Sequence, residues 1–255
     1  INYDYEIVMV NDGSKDKSYE VMKELSLEDK NIKIISLSRN FGSHAAILCG
    51  ISHCTGDCAV IKAADLQEPT ELILEMVESW EKGNNVVLAV REGRDESRKQ
   101  TFFANFYYKL VQKTALPEMP DQGFDVYLID RKVITVLENL DERNSALTGQ
   151  ILWSGFKTGK VYYHRLARDI GESKWTLKKK IRLVMDTLFS FTSLPITVVL
   201  YSGVMSILIA VIWAIVVGIS KLVGDINVSG WTTLFIFNLF SFGVTMMTLG
   251  ILGEY

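Results

Sequence analysis

The chain reads as an α/β domain with a mainly parallel sheet, followed by amphipathic interfacial helices and two transmembrane helices. Three observations carry that expectation. Short β-rich runs alternate with helical spacings from Glu6 to about Val90, which is the pattern of βαβ units. No charged residue occurs between Asp186 and Lys221, or between Asp225 and Glu254. Each gap exceeds the roughly 20 residues needed to cross a bilayer. Ahead of the first gap, Trp175, Ile181, Val184, Met185 and Leu188 fall near helical spacing, beside Lys174, Lys178, Lys179, Lys180 and Arg182. Such a helix lies flat on anionic headgroups. A buried hairpin of a soluble protein conflicts with the length of the two gaps and their lack of charge.

The expected boundaries are therefore 1–167 for the α/β domain, 168–192 for the juxtamembrane helices and 193–255 for a two-span hairpin. Basic residues crowd the near flank of the first span, whereas the connecting loop holds one Lys and one Asp. The positive-inside rule then puts the α/β domain and both chain ends in the cytoplasm, on a multi-pass protein of the cell membrane. A net charge of −3 argues against a general nucleic-acid partner. The three cysteines, Cys49, Cys54 and Cys58, lack zinc-ribbon spacing and read as reduced, mostly buried thiols. The histidines are scattered, with no metal-binding spacing. The chain opens at Ile1, with no Met, straight into a strand-like run, so its true beginning is expected to be missing.

In order along the chain, Glu6–Val10 is the first strand-like run, and Asn11-Asp12-Gly13-Ser14 makes a tight turn behind it. A helix follows over Tyr19–Leu25, a strand over Ile32–Leu37, and a helix over Ser43–His53. The short apolar run Cys58–Ile61 predicts a buried strand ending just before Asp65. In an open α/β sheet, ligands gather beyond the carboxyl ends of the strands, so Asp65 is placed to meet a metal or polar ligand. Its other reading is a cap on a helix beginning near Pro69. That helix runs to Glu81, and a fourth strand covers Val86–Val90. The layout is Rossmann-like but has no G-x-G-x-x-G, so dinucleotide binding is not supported. A charged loop from Arg91 to Arg98 carries guanidiniums whose planar fork suits phosphates. Phe102, Phe103, Phe106, Tyr107 and Leu110 lie at helical spacing and read as packing. A Gly turn at Gly123 and the acid Asp125 precede another strand. Helices over Val133–Leu140 and Leu147–Trp153 lead to a last strand, Val161–Leu166. The spans are expected over about Ile196–Ile219 and Trp231–Gly253.

As a set, these motifs resemble a known family. Val10-Asn11-Asp12-Gly13-Ser14 with Asp16, then Ser38-Arg39-Asn40-Phe41-Gly42, resembles the nucleotide-sugar half of a family 2 glycosyltransferase. So do Ala64-Asp65-Leu66-Gln67-Glu68-Pro69, and Gly123-Phe124-Asp125 with Leu128 and Arg131. Arg168-Asp169-Ile170-Gly171-Glu172-Ser173-Lys174-Trp175 ahead of two spans is similar to the polyprenyl-phosphate branch, the relatives of dolichol-phosphate mannose synthase and the bacterial undecaprenyl-phosphate glucosyltransferases. The resemblance covers essentially the whole chain in order.

The resemblance implies a GT-A fold and inverting transfer of a sugar from a nucleotide diphosphate donor, UDP-glucose or UDP-N-acetylglucosamine, to polyprenyl phosphate. It implies donor contacts at Asp12, Gly13, Ser14, Asn40, Gly42, Ala64, Asp65, Gln67 and Arg91. Asp65 and Asp125 would be catalytic, and Asp65 would ligate Mg²⁺ or Mn²⁺. Arg131, Arg168, Ser173 and Lys174 would hold the acceptor phosphate, with Arg94 a further candidate for a phosphate. The family usually offers Asp-x-Asp where this chain has Ala63-Ala64-Asp65, so one carboxylate of the pair is gone. A homo-oligomer is compatible with the family. Two other readings stand beside this one. One is a catalytically silent, membrane-tethered nucleotide-sugar binder, suggested by Ala63. The other is a polysaccharide synthase, disfavoured by the absence of a Gln-x-x-Arg-Trp motif.

Overall fold

The computed structural model describes residues 3–65, 67–92, 108–140, 146–164, 187, 189–224 and 230–254. The chain divides into two units, Ile1–Ser190 and Phe191–Tyr255. The first opens with β1 (Ile7–Asn11), α1 (Ser18–Glu28), β2 (Ile32–Ser36) and α2 (Ser43–Ser52). β1 and β2 pair in parallel, Ile7 opposite Ile32 and Asn11 opposite Ser36, as expected of a βαβ unit. Asp16 accepts the Ser18 N–H at 3.0 Å at the start of α1, a local bond that satisfies an otherwise orphan donor.

β3 (Cys58–Ile61), α3 (Leu72–Glu81), β4 (Val86–Arg91), β5 (Val126–Asp130), α4 (Arg131–Asn139), α5 (Leu147–Trp153) and β6 (Thr158–Tyr163) follow. The second sheet has the order β3-β5-β4-β6. Here the expectation of a mainly parallel sheet needs correction. β4 and β6 are parallel, but β5 runs antiparallel to both β3 and β4. The reason lies in the connection: a parallel neighbour needs a crossover to the far edge of the sheet. Instead β5 starts where β4 ends, with Val126 opposite Ala89, after a turn at Gly123 (φ +68°).

All but the last residue of β4 and of β5 are buried, which is why both read as continuous apolar runs rather than alternating ones. On one face Leu72 and Met76 of α3 pack with Val87, Ala89, Val126, Leu128 and Tyr163. Removing the fully buried Met76 side chain is worth about 2–5 kcal/mol. Asp130 closes β5 and caps α4: its carboxylate accepts the Lys132 N–H at 2.8 Å and the Trp80 indole N–H at 2.8 Å.

The last strand begins at Thr158, three residues ahead of the expected Val161. Gly159 and Lys160 are poor strand formers and conceal it. A Cβ at Gly159 would lie 2.7 Å from both Asn84 Nδ2 and Ser79 Oγ, so the strand needs a glycine to pass the α3–β4 corner. Of the juxtamembrane segment 168–192, only 187 and 189–192 are among the described residues, and the aromatic run from Phe102 to Tyr107 lies outside them.

The second unit is a pair of helices, α6 (Leu194–Val223) and α7 (Gly230–Glu254). Both are long and apolar enough to cross a membrane. Pro195 stands in the first turn of α6, and Gly224 (φ +84°) ends it, donating its N–H to Ser220 O, the usual asymmetry of helix ends.

Candidate functional site

Two clasped loops form the first half of the site. β1 ends at Asn11, buried at 7% exposure. Its side chain accepts the Ser14 N–H at 3.0 Å and donates to Ser36 Oγ at 3.1 Å, which folds the turn back and ties it to the end of β2. Gly13 sits in the turn at φ +64°, and a Cβ there would lie 2.5 Å from the Arg39 carbonyl carbon and 2.6 Å from Asn40 N. The turn after β1 therefore rests directly on the backbone after β2. Asp12 completes the clasp: its two carboxylate oxygens accept the Phe41 N–H at 2.7 Å and the Gly42 N–H at 2.9 Å. The Arg39 guanidinium lies over the Phe41 ring, 4.6 Å from its centroid. Asp12, Gly13, Ser14, Asn40 and Gly42, named separately from the sequence, thus belong to one substructure.

The second half lies at one edge of the four-stranded sheet. Ile61 pairs with Tyr127 and Ala89 with Val126. The carboxyl ends of β3 and β4 and the start of β5 therefore coincide, and Ala64, Asp65, Gln67, Arg91 and Asp125 fall at that edge. Asp65 is half-buried, and one of its oxygens accepts the Gln67 N–H at 3.4 Å. It does not cap α3, whose N-cap is Glu71 with no side-chain cap bond. Arg91 and Asp125 form an ion pair with the guanidinium largely covered and the carboxylate side chain 63% exposed. Glu68, three residues past Asp65, is buried at 2% exposure. Its role as a buried acid was hidden in the sequence, where it reads as one more polar residue before Pro69.

Glu6 links the two sheets at the other end of their strands. Its carboxylate accepts the Thr55 hydroxyl at 2.9 Å and the Gly56 N–H at 3.1 Å, besides the Thr55 N–H, and pairs with Lys33. This ties the start of β1 to the start of β3. The Lys33 bond, then the Thr55 N–H, holds its pKa down at about 2, from an ordinary 4.5.

Arg131 does not join the site. Its guanidinium donates to Gly56 O at 2.9 Å and Cys54 O at 3.0 Å. It stands after Asp130, opposite Cys58 at the amino end of β3, the far edge from Asp65. Through these bonds it pins the loop between α2 and β3. Arg94, Arg168, Ser173 and Lys174 lie outside the described residues. The cysteines are free thiols. Burial, then the carboxylates of Asp130 and Asp57, push Cys58 up to about 11, and burial raises Cys54. Both thiols are protonated at neutral pH and are poor nucleophiles.

Among the described residues, no group of three or more His, Cys, Asp or Glu side chains is arranged to hold a metal ion. Asp65 offers a hard oxygen donor of the kind Mg²⁺ or Mn²⁺ accepts. One carboxylate suffices when phosphate oxygens and waters complete the shell. The donor set among the described residues therefore fits a cation brought with a diphosphate.

The family model described as Glycosyl transferase family 2 matches residues 1–137. The "Uncharacterized glycosyltransferase YkcC" of Bacillus subtilis (strain 168) is 39% identical, over 98% of this chain and 78% of its own length. The "Putative glycosyltransferase CsbB" of the same organism is 35% identical, over 100% and 78%. The "Bactoprenol glucosyl transferase" of Shigella phage SfV is 34% identical, over 99% and 83%. Among solved structures, mannosyltransferase PcManGT from Pyrobaculum calidifontis, in complex with GDP-Man and Mn²⁺, gives a TM-score of 0.47 at 12% identity. That alignment covers 97% of this chain and 64% of the other.

Proposed function

The chain belongs to glycosyl transferase family 2, and from that premise we propose that it moves a glucosyl unit from UDP-glucose to a polyprenyl phosphate at the cytoplasmic face of a membrane. UDP-N-acetylglucosamine is the next donor in line. The single observation that carries the reading is the convergence of Asp65, Arg91 and Asp125 at one sheet edge, in a chain that ends in two long apolar helices. The relatives named bactoprenol glucosyl transferase support the sugar and the lipid class. The apolar side chains of α6 and α7 are largely exposed, as at Leu222, Trp231 and Leu252. That suits contact with lipid better than a place in a soluble core.

In this mechanism the clasped loops hold the nucleotide end of the donor. Gly42, where a Cβ would meet nothing within 4 Å, leaves the backbone open to it, Gly13 lets the two loops touch, and Asp12 keeps them in register. Asp65 faces the diphosphate, where Mg²⁺ or Mn²⁺ would neutralise charge developing on the leaving group. Asp125, held by Arg91, orients the acceptor. A polyprenyl phosphate has a second pKa of about 6, so its oxygen is largely ionised and needs no strong base. One bond forms between that oxygen and the sugar C1, the bond from C1 to the diphosphate breaks, and the nucleoside diphosphate leaves with the electron pair. Displacement from the opposite face inverts C1. Positioning and charge screening then account for most of the rate. Arg168, Ser173 and Lys174 remain the proposed acceptor-phosphate contacts, on the segment that adjoins the spans.

The test is Asp65→Ala at saturating Mn²⁺. Turnover to lipid-linked sugar falls by roughly a hundredfold or more while the protein stays folded. Full turnover in that variant would refute the role of Asp65. The silent-binder reading is favoured by one observation, the alanine at position 63. Donor binding without lipid product under any metal would establish it.

A further inference from the structure

The two apolar helices pack closely over only part of their length. A Cβ at Gly203 would lie 2.5 Å from Met247 N, one at Gly243 would lie 2.6 Å from Ile207 Cγ1, and one at Gly250 would lie 2.8 Å from Leu200 Cα. Near the end of α6 the helices part: a Cβ at Gly218 would meet nothing within 4 Å. The opening is a groove of about 530 Å³. Ala210, Ala214 and Gly218 form one wall, and Ile236, Phe237 and Phe240 the other. Thr233 and Lys221 stand at its end.

Lys221 is the one Lys or Arg in the sequence beyond Arg182. It lies two residues before α6 stops at Val223, so its flexible stem can carry the ammonium to headgroup depth. The next charge is Asp225, beyond the Gly224 that ends the helix. Small residues facing aromatic ones leave a slot for a flexible chain, and a cation closes the slot where the apolar run ends. An apolar tail bearing an anion matches both features. We propose that this groove holds one acyl chain of an anionic phospholipid, with its headgroup phosphate against Lys221. The inference rests on the reading of α6 and α7 as membrane spans.

The test uses the full chain in phosphatidylcholine nanodiscs doped with a trace of diazirine-tailed phosphatidylglycerol or diazirine-tailed phosphatidylcholine. After photolysis the adducts are mapped by mass spectrometry. Labelling by the glycerol lipid concentrates on 210–218 and 233–240 and exceeds labelling by the choline lipid about five-fold, the ratio that one basic side chain near a headgroup supplies. Lys221→Gln brings the two lipids to parity. Gly218→Leu fills open space, so it lowers groove labelling by both lipids while labelling elsewhere on α6 persists. Equal labelling in the unaltered chain, or an excess untouched by Lys221→Gln, overturns the proposal and leaves an ordinary lipid annulus. Absence of adducts from either lipid on α6 and α7 would refute the membrane reading itself.

Discussion

Gly13→Ala is the sharpest perturbation of the site that leaves its chemistry untouched. The backbone at Gly13 has φ +64°, a left-handed conformation that costs an L-residue about 1–2 kcal/mol. The new methyl would also lie 2.5 Å from the Arg39 carbonyl carbon and 2.6 Å from Asn40 N, where ordinary contact begins at 3.4 Å. Both neighbours are backbone, so no rotamer relieves the overlap and the two loops must separate by about 1 Å. Overpacking of this kind adds about 1–3 kcal/mol. The total is about 3 kcal/mol, equivalent to a fall in melting temperature of roughly 6–12 °C for a domain of this size. Separation of the loops also pulls the Phe41 and Gly42 N–H groups off Asp12, so donor affinity falls about tenfold or more. Gly42→Ala is the matched control. It too is strained, at φ +100°, but its Cβ would meet nothing within 4 Å, so it costs about 1–3 kcal/mol for conformation alone. Thermal melts of the full chain in detergent, with titration of UDP, read both quantities. A Gly13→Ala protein that melts and binds like the unaltered chain would refute the clasp.

Two further outcomes test the framework around the site. Glu6 has its pKa depressed to about 2 by Lys33 and the Thr55 N–H, so its stabilising effect is fully present above about pH 4.5 and is lost as pH falls toward 2. The difference in stability between the unaltered chain and Glu6→Gln should be flat from pH 5 to 7 and shrink below pH 4.5; a constant difference down to pH 2 would contradict the assignment. In the helical hairpin, Gly203→Leu should lower the melting temperature and Gly218→Leu should leave it nearly unchanged, because only the first would drive a side chain into Met247 and Gly243. Equal effects would mean that the helices do not pack as described.

Much of this was legible in the sequence because local patterns and global fold agree. Cys58–Ile61 reads as a strand from its apolar run, and the structure gives those residues as β3. The two charge-free gaps mark α6 and α7. The order of β5 was not legible. Strand direction is set by where the connection returns, and a buried antiparallel strand such as Val126–Asp130 shows the same unbroken apolar run as a parallel one. The position of Arg131 is not legible for a related reason. A guanidinium next to a motif looks the same in sequence whether it faces a phosphate or two backbone carbonyls, and only the antiparallel course of β5 puts it at the far edge. The clasp of Asp12 on Phe41 and Gly42 spans thirty residues, beyond the reach of any local spacing rule. Its components were nonetheless visible as turn residues. Ala63, by contrast, is visible in the sequence itself as the missing member of the family's carboxylate pair.

The measurement that bears most directly on the central claim is radiolabel transfer from a panel of nucleotide sugars to undecaprenyl phosphate in detergent, with Mn²⁺, Mg²⁺ or a chelator. The account predicts a lipid-linked product from UDP-glucose, lost on chelation and on Asp65→Ala. Donor binding or hydrolysis with no lipid product under any metal would contradict it.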